Sequence, residues 1–195
     1  MRTLAGNKNV DQDAALQDGV GVGAVLKPRS LDVWWPDGAK LLFIDDWDSS
    51  VRQFEAFSRE VSTLCPSPTG TTAHLIRVHP DGTAAYIVGT KNNAQYRIYR
   101  LNLTDSSYQV EPWVGASEAD SDQNDGQGTN AGFQIIQGID FSPDGGTLVV
   151  LERHNGDADV QNTAARIKIR KVAIATGVVT TVGLVEGGLF DPRGL

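Results

Sequence analysis

The chain has 195 residues, of which 40% are hydrophobic and 21% charged, and 24 acidic against 17 basic side chains give a net charge of −7. This composition is typical of a globular protein. The negative charge argues against binding to nucleic acid or anionic membranes, which both need a basic surface, and the single cysteine excludes internal disulfides and multi-cysteine zinc sites.

The amino-terminal segment predicts one short strand over residues 2–5 and no signal peptide, because residues 1–8 lack the necessary apolar stretch. A secreted origin would therefore need a longer parent protein. No apolar run in the chain approaches the length of a membrane span, so we expect no membrane insertion.

The tripeptide Pro-Asp-Gly occurs three times, at 36–38, 80–82 and 143–145, each time between two apolar segments. Proline presets the first central angle of a turn, and glycine accepts the positive φ that follows. Each occurrence therefore predicts a strand, a tight turn and a second strand.

Two further strands are predicted after each of these hairpins. A third segment alternates basic and apolar residues, as in Arg166–Arg170, which is the pattern of a half-buried strand. A fourth apolar segment follows after a short polar turn. The predicted units are four-stranded and antiparallel, over residues 24–65, 73–115 and 131–184, with the start of a further unit at 185–195.

A longer signature links these units. Asp18–Ala24 matches Asp125–Ala131 in the pattern Asp-Gly-x-Gly-x-x-Ala, and Leu26–Leu31 matches Phe190–Leu195 around a shared Pro-Arg. Together with the late arginine-rich strand, these motifs resemble those of the NHL repeat family, although the second unit lacks the glycine signature. The resemblance implies an all-β fold, a β-propeller of four-stranded blades, and about three of its usual six blades in this chain.

The meander order of the strands divides the loops between two faces of such a propeller. One face carries short hairpins that include the three Pro-Asp-Gly turns, and the other carries every long loop. The long loops hold 13 of the 24 acidic residues and, among basic residues, only Lys8 and Lys91. We predict an acidic recognition surface on this face, since function commonly resides in loops on a rigid scaffold; acidic residues that merely solvate the loops are the alternative.

Tryptophan and acidic residues in three of the long loops are the predicted binding residues. Trp47 lies among acids in a loop, where it could anchor a partner or plug the space between blades. Residues 119–126 alternate oxygen-bearing side chains as calcium loops do, but lack the glycine and glutamate positions of an EF-hand. The predicted binding residues are Asp45, Asp46, Trp47, Asp48, Asp120, Asp122, Asp125, His154 and Asp157.

The predicted function is non-enzymatic recognition of a protein or other ligand, without a cofactor or a bound metal. The alternative is a propeller enzyme, a lyase or hydrolase with a metal in the central channel. One relative of this propeller class, the peptidyl-glycine lyase domain, uses a histidine-rich zinc centre, which the three scattered histidines match poorly. No residue pattern predicts nucleic-acid binding. The resemblance favours an extracellular or cell-surface parent protein.

The last expectation concerns assembly. About three blades leave the apolar flanks of the terminal blades uncovered, and repeat arrays need their ends capped. We therefore expect two chains to form a homodimer that completes a six-bladed ring, and the strand over 2–5 to add to a blade edge.

Overall fold

The structure, a computed structural model, describes residues 3–7, 16–34, 39–68, 70–91, 95–116, 124–154 and 166–185. The chain forms two compact units. One comprises Met1–Ala94 with Ile98–Pro112, and the other Gln95–Arg97 with Trp113–Leu195. Regular structure in the described ranges is almost entirely β, and no helix there has the length and apolar character needed to cross a bilayer.

Sheet 1 contains five strands in the order β1-β5-β4-β3-β2. Four of them form the predicted meander, and β1 pairs with the outer strand β5 through Gly19 and Val61. A 3₁₀ turn, Gly21–Gly23, follows β1. The strands are β1 (Gly19–Val20), β2 (Pro28–Trp34), β3 (Lys40–Asp45), β4 (Val51–Glu55) and β5 (Glu60–Cys65).

Sheet 2 contains four strands in the order β6-β7-β8-β9, and the described residues add no fifth strand to it. Its first hairpin closes with the predicted Pro-Asp-Gly turn, in which Gly82 has a φ of 74° and its N–H donates to the His79 carbonyl over 2.8 Å. The strands are β6 (Thr71–Val78), β7 (Ala84–Lys91), β8 (Gln95–Asn102) and β9 (Val110–Val114).

Sheet 3 repeats the five-stranded arrangement in the order β10-β14-β13-β12-β11. Its Pro-Asp-Gly turn has the same geometry, with a φ of 71° at Gly145 and a 2.8 Å bond from its N–H to the Ser142 carbonyl. The first Pro-Asp-Gly, at 36–38, lies outside the described residues. The strands are β10 (Gly126–Gln127), β11 (Ile135–Phe141), β12 (Thr147–His154), β13 (Arg166–Ala173) and β14 (Val178–Val185).

A β-bulge at the same point of each first strand aligns the three sheets. In each sheet the bulge follows one particular residue of the first strand. The residue of the second strand that pairs with it is Asp45 in sheet 1, Gly89 in sheet 2 and Glu152 in sheet 3. Counting from this bulge, Leu31 of β2 corresponds to Ile76 of β6, and Leu42 of β3 corresponds to Val149 of β12.

The main core of the first unit lies between sheets 1 and 2. Successive side chains of a strand point to opposite faces, so Leu42 and Ile44 of β3 enter this core while Phe43, between them, faces the other way. Phe43 belongs to a smaller cluster with Ala24 and Val61. Sheet 1 is therefore apolar on both faces, as expected for a sheet with neighbours on both sides.

Two sequence expectations need correction. The described part of the predicted first strand, residues 3–5, is irregular; Gly6 and Asn7 next to it donate to the carbonyls of Gly21 and Ala24. The Asp-Gly-x-Gly signature is more than a turn between units, because its Gly19 and Gly126 begin the fifth strands of sheets 1 and 3.

Candidate functional site

The loop that follows Asp45 and leads into β4 presents two exposed predicted binding residues, Trp47 and Asp48. The Asp45 carboxylate accepts the Trp47 N–H over 3.2 Å, and the Asp45 carbonyl accepts the Ser49 N–H over 2.9 Å. Asp48 accepts the Ser50 N–H, and Ser49 has a φ of 61°. These bonds hold the loop in one shape and leave the Trp47 residue 49% exposed.

Two basic side chains, one just before β2 and one within it, lie close to the acids of this loop. The Asp46 carboxylate lies 3.4 Å from Lys27 Nζ and 3.3 Å from Arg29 Nη1. Arg29 also donates to the Ala73 carbonyl, beside His74. The predicted acidic surface therefore also has two cations beside it at this loop, and Trp47 stands among charges of both signs.

His74 of β6 lies beside these charges, and its side chain contacts the neighbouring strand β7. Its Nε2 is 2.9 Å from Thr90 Oγ1. Burial lowers the pKa of His74, the nearby Arg29 guanidinium lowers it further, and Asp46 opposes the shift. The imidazole is therefore neutral at pH 7, and we assign it a packing role.

Asp45 itself is not on the surface. Its side chain is completely buried and accepts Arg52 Nη1 over 2.9 Å, while Arg52 is also fully buried. The same Nη1 donates to the Val25 carbonyl, and Nη2 donates to the Gln17 carbonyl and to Asp18. The predicted surface role of Asp45 is thus corrected: its carboxylate neutralises a buried guanidinium and anchors the loop.

Asp18 completes this cluster by joining the arginine to the outer strand. Its carboxylate lies 3.0 Å from Arg52 Nη2 and accepts both the backbone N–H and the hydroxyl of Thr63 in β5. The amino-terminal segment before β1 is therefore tied to β4 by the guanidinium and to β5 by the Asp18 carboxylate.

Sheet 3 repeats the cluster atom for atom with different residues. Arg170 Nη1 donates to Glu152 and the Gly132 carbonyl, and its Nη2 donates to Asp125 and the Asn124 carbonyl. Asp125 accepts the N–H and hydroxyl of Thr181, both over 2.9 Å. Predicted as a binding residue, Asp125 is thus already engaged in holding β10 to its sheet.

The two aspartates of these clusters have lowered pKa values. Partial burial alone would raise the pKa of Asp18, but hydrogen bonds from Thr63 and the pairing with Arg52 outweigh it. The same balance, with Thr181 and Arg170 as partners, lowers the pKa of Asp125. Both carboxylates are therefore charged at neutral pH, as an ion pair with a buried guanidinium requires.

Of the remaining predicted binding residues, one lies on the surface and the others lie wholly or partly outside the described residues. Asp48 is exposed beside Trp47. Asp120, Asp122 and Asp157 lie outside the described residues, as does the side chain of His154, whose backbone ends β12. Cys65 is buried, which raises the pKa of its thiol to about 11 and makes it a poor nucleophile. Within the described ranges, no three His, Cys, Asp or Glu side chains form a metal-binding group.

Sequence reasoning missed the arginines, Glu152 and a second exposed aromatic residue. The arginine signal was present, because Arg52 and Arg170 are each followed, eleven residues later, by a threonine of the outer strand. The second aromatic is Phe57, 86% exposed in the turn between β4 and β5. Since Trp47 precedes β4 and Phe57 follows it, the two lie at opposite ends of this strand.

Comparison with solved structures identifies the fold. The chain is similar to a structural-genomics protein of unknown function from Bacteroides thetaiotaomicron VPI-5482, with a TM-score of 0.63, 15% identity, and coverage of 98% of this chain and 40% of that chain. It is also similar to a chain in a nidogen/laminin complex, with a TM-score of 0.57, 15% identity, and coverage of 85% and 53%. A puromycin-hydrolyzing peptidase from Mycobacterium tuberculosis matches with a TM-score of 0.54, 15% identity, and coverage of 83% and 24%.

These likenesses place the chain in the β-propeller class, built here from antiparallel sheets of four or five strands. No protein-family profile and no curated protein sequence matches the chain. The chain spans about half or less of the length of the solved chains that it matches. The names of those chains include both a binding complex and an enzyme, so the likeness defines the fold and leaves the activity to the site.

Proposed function

We propose that this chain is a non-enzymatic recognition module of NHL-repeat type, which binds a protein or other ligand through the loop that carries Trp47. The observation that carries the proposal is the exposure of a tryptophan on a loop that the buried Asp45 holds in one conformation. Because about half of Trp47 is exposed to solvent, a partner can bury its indole ring.

The fixed loop lowers the cost of binding. A partner that buries Trp47 need not order the surrounding backbone, because the Trp47, Ser49 and Ser50 N–H groups already have acceptors within the loop. Conformational ordering is a main cost of association, and tryptophan is enriched among the residues that dominate binding energy.

The charges around the indole form a rim that would select the partner. Asp48 is exposed on one side, while Asp46 is shared between Lys27 and Arg29 on the other. An apolar centre with a polar rim is the usual anatomy of a recognition surface. We expect an apolar or aromatic group with an adjacent cation to fit here, the cation pairing with Asp48. The proposal extends to Asp120, Asp122, His154 and Asp157, whose loops the sequence assigns to the same face.

A peptide selection with paired variants tests the proposal. A random peptide library displayed on phage is selected against the wild-type protein, and the enriched peptides are measured against Trp47→Ala and Phe57→Ala. We expect Trp47→Ala to weaken binding roughly 30-fold or more, the cost of about 2 kcal/mol typical of an interface anchor. Phe57→Ala is the matched control, an exposed aromatic in a turn of the same sheet, and should bind as the wild type does.

The thermal unfolding of both variants is measured alongside, and neither midpoint should move appreciably. Peptides that bind Trp47→Ala as tightly as wild type, or that depend on Phe57, would contradict the proposal. Stoichiometric zinc or calcium in the purified protein would instead support the alternative of a metal-dependent propeller enzyme.

A further inference from the structure

An apolar groove lies on the face of sheet 1 opposite the main core. It has a volume of about 200 Å³, and no polar atom contributes to its wall. Phe43 forms its floor, with Leu31 and Leu41 from β2 and β3 and Phe54 and Val61 from β4 and β5 around it. Leu31 is 54% exposed although it lies in the middle of a strand.

The corresponding face of sheet 2 shows what such a groove receives. In the register set by the bulges, Leu31 corresponds to Ile76 and Phe43 to Ile87. Both isoleucines belong to the core formed with Leu42 and Ile44 of sheet 1, and Ile76 is 0% exposed. In sheet 2, therefore, this face is covered by the opposite face of a preceding sheet. On sheet 1 the same face is covered only in part, by Leu4, Ala5 and Leu26 of the amino-terminal segment, and Leu31 is left exposed.

Sheet 3 carries the matching surface in an uncovered state. Its residues Val149 and Leu151 correspond to Leu42 and Ile44 of sheet 1, and Ile169 pairs with Leu151 as Val51 pairs with Ile44. Leu42 is fully buried against sheet 2, whereas Val149 is 40% exposed. Sheets 1 and 3, the first and last of the described sheets, thus each have one apolar face that resembles the faces packed between sheets 1 and 2.

A polar contact supports the same correspondence. Asp32 of β2 makes two hydrogen bonds with its carboxylate. Its Oδ1 accepts the N–H of the next residue, Val33, and its Oδ2 accepts the Val78 N–H of sheet 2 over 2.8 Å. Asp140 of β11 corresponds to Asp32 and repeats the first bond, to the Phe141 N–H over 2.9 Å. Its Oδ2 accepts no hydrogen bond within the described part of the chain, so this acceptor is available to a further sheet.

We propose that the cover is a second copy of this chain: sheet 3 of one copy packs into the sheet 1 groove of the other, and the reverse contact forms at the same time. Two copies with three sheets each give six sheets and leave neither apolar face in water. The match in length agrees, because the chain spans 40% and 53% of two solved propeller-type chains that it resembles.

Sedimentation equilibrium of the purified chain and its variants tests the pairing. The wild type should have twice the 20.9 kDa mass of the chain at micromolar concentration. Leu31→Asp places a charge in the groove and Val149→Asp places one on sheet 3, and each should weaken dimerisation at least about 100-fold, because the charge would be buried without a partner. Asp140→Ala should weaken it less. Phe57→Asp, at an exposed position outside both faces, should leave the dimer intact.

Mixing the two disrupted variants identifies which faces meet. A Leu31→Asp chain retains an intact sheet 3, and a Val149→Asp chain retains an intact groove, so an equimolar mixture regains one unaltered junction. We expect a heterodimer in the mixture where each variant alone is monomeric. Circular dichroism confirms that both variants are folded before the measurement.

Three results would overturn the proposal. They are a wild-type monomer at micromolar concentration, a Val149→Asp protein that dimerises as well as wild type, and a mass that continues to grow past two copies as concentration rises. The second result would indicate groove-to-groove pairing, and the third an open chain of copies.

Discussion

Sheets 1 and 3 each hold a fully buried arginine against a fully buried acid, and sheet 2 differs at the position of that acid. Sheet 2 does bury Arg97 of β8, but the Nε of Arg97 donates to the Ala116 carbonyl. At the position that holds the acids Asp45 and Glu152, sheet 2 has Gly89, and the side chain beside it is Tyr99. The Tyr99 hydroxyl lies 3.1 Å from Thr71 Oγ1, and its ring lies against Gly89. An aromatic ring and a glycine thus replace an ion pair.

The fifth strand explains the difference. In sheets 1 and 3, the segment before the extra strand turns backbone carbonyls inward, at Gln17 and at Asn124, and these carbonyls need donors. A guanidinium supplies five N–H groups in a fixed plane and satisfies them together with the two carboxylates. Sheet 2 shows no fifth strand among the described residues, and the Tyr99 ring fills the space beside Gly89.

The largest expected effect comes from removing a central arginine. Arg170→Met removes the cation paired with the fully buried Glu152, which then keeps, within the described residues, only the Gln134 N–H as a donor, and it frees the carbonyls of Gly132 and Asn124. We therefore expect a loss of about 3–5 kcal/mol of unfolding free energy. Urea denaturation followed by circular dichroism measures it. Arg100→Met, at an exposed position of β8, is the control and should change stability by less than about 0.5 kcal/mol. Equal losses in the two variants would contradict a central role for the cluster.

Substitution of Gly89 tests how tightly side chains pack at the position where sheet 2 lacks an acid. A Cβ at Gly89 would lie 2.7 Å from Thr71 Cγ2 and 3.3 Å from the Tyr99 ring, so Gly89→Ala should cost about 1–3 kcal/mol through overpacking. Gly183→Ala in β14 is the matched control, since a Cβ there meets nothing within 4 Å. The same urea measurement applies, and a Gly89→Ala protein as stable as Gly183→Ala would show that Tyr99 does not occupy this space tightly.

A smaller effect should follow from deleting the tyrosine hydroxyl. Tyr99→Phe removes the hydrogen bond to Thr71 in a buried site and should cost about 0.5–1.5 kcal/mol. A double-mutant cycle with Thr71→Val isolates the pair. A coupling energy near zero would mean that the hydroxyl contributes nothing to this sheet and that the ring alone replaces the arginine.

The smallest effect is a dependence on pH in sheet 3. The pKa of Asp125 is lowered in the folded protein, so its stabilisation is complete above the unfolded value of about 3.9 and is lost as pH falls through the folded value. Asp125→Asn should therefore cost at most about 1 kcal/mol at pH 7, since the side chain is half exposed, and the gap to wild type should close in acid.

Thr181→Val is the control for that measurement, because it removes a hydroxyl donor to Asp125 without removing the charge. Both variants are unfolded in urea at neutral pH and at pH values below the unfolded pKa. A difference between wild type and Asp125→Asn that stays constant with pH would show that the charge of Asp125 does not stabilise this sheet.

The four strands of each meander, their antiparallel order and the two described Pro-Asp-Gly turns could be predicted from sequence, because they depend on alternation over a few residues and on the backbone preferences of proline and glycine. The sequence also supplied the repeated Asp-Gly-x-Gly signature, although its role as a fifth strand was missed. The exposed Trp47 loop was located correctly for the same local reason: a tryptophan among three aspartates has no apolar pattern to bury it.

The tertiary structure alone decided what the charged residues do. Asp45 and Asp48 look equivalent in sequence, yet one is buried against Arg52 and the other is exposed, because the fold brings a guanidinium seven residues away to only one of them. Likewise Lys27 and Arg29, just before and within the neighbouring strand β2, reach Asp46, so the local charge depends on strand pairing. Pairing between strands that are distant in sequence places these charged groups together, and a short stretch of sequence does not specify that pairing.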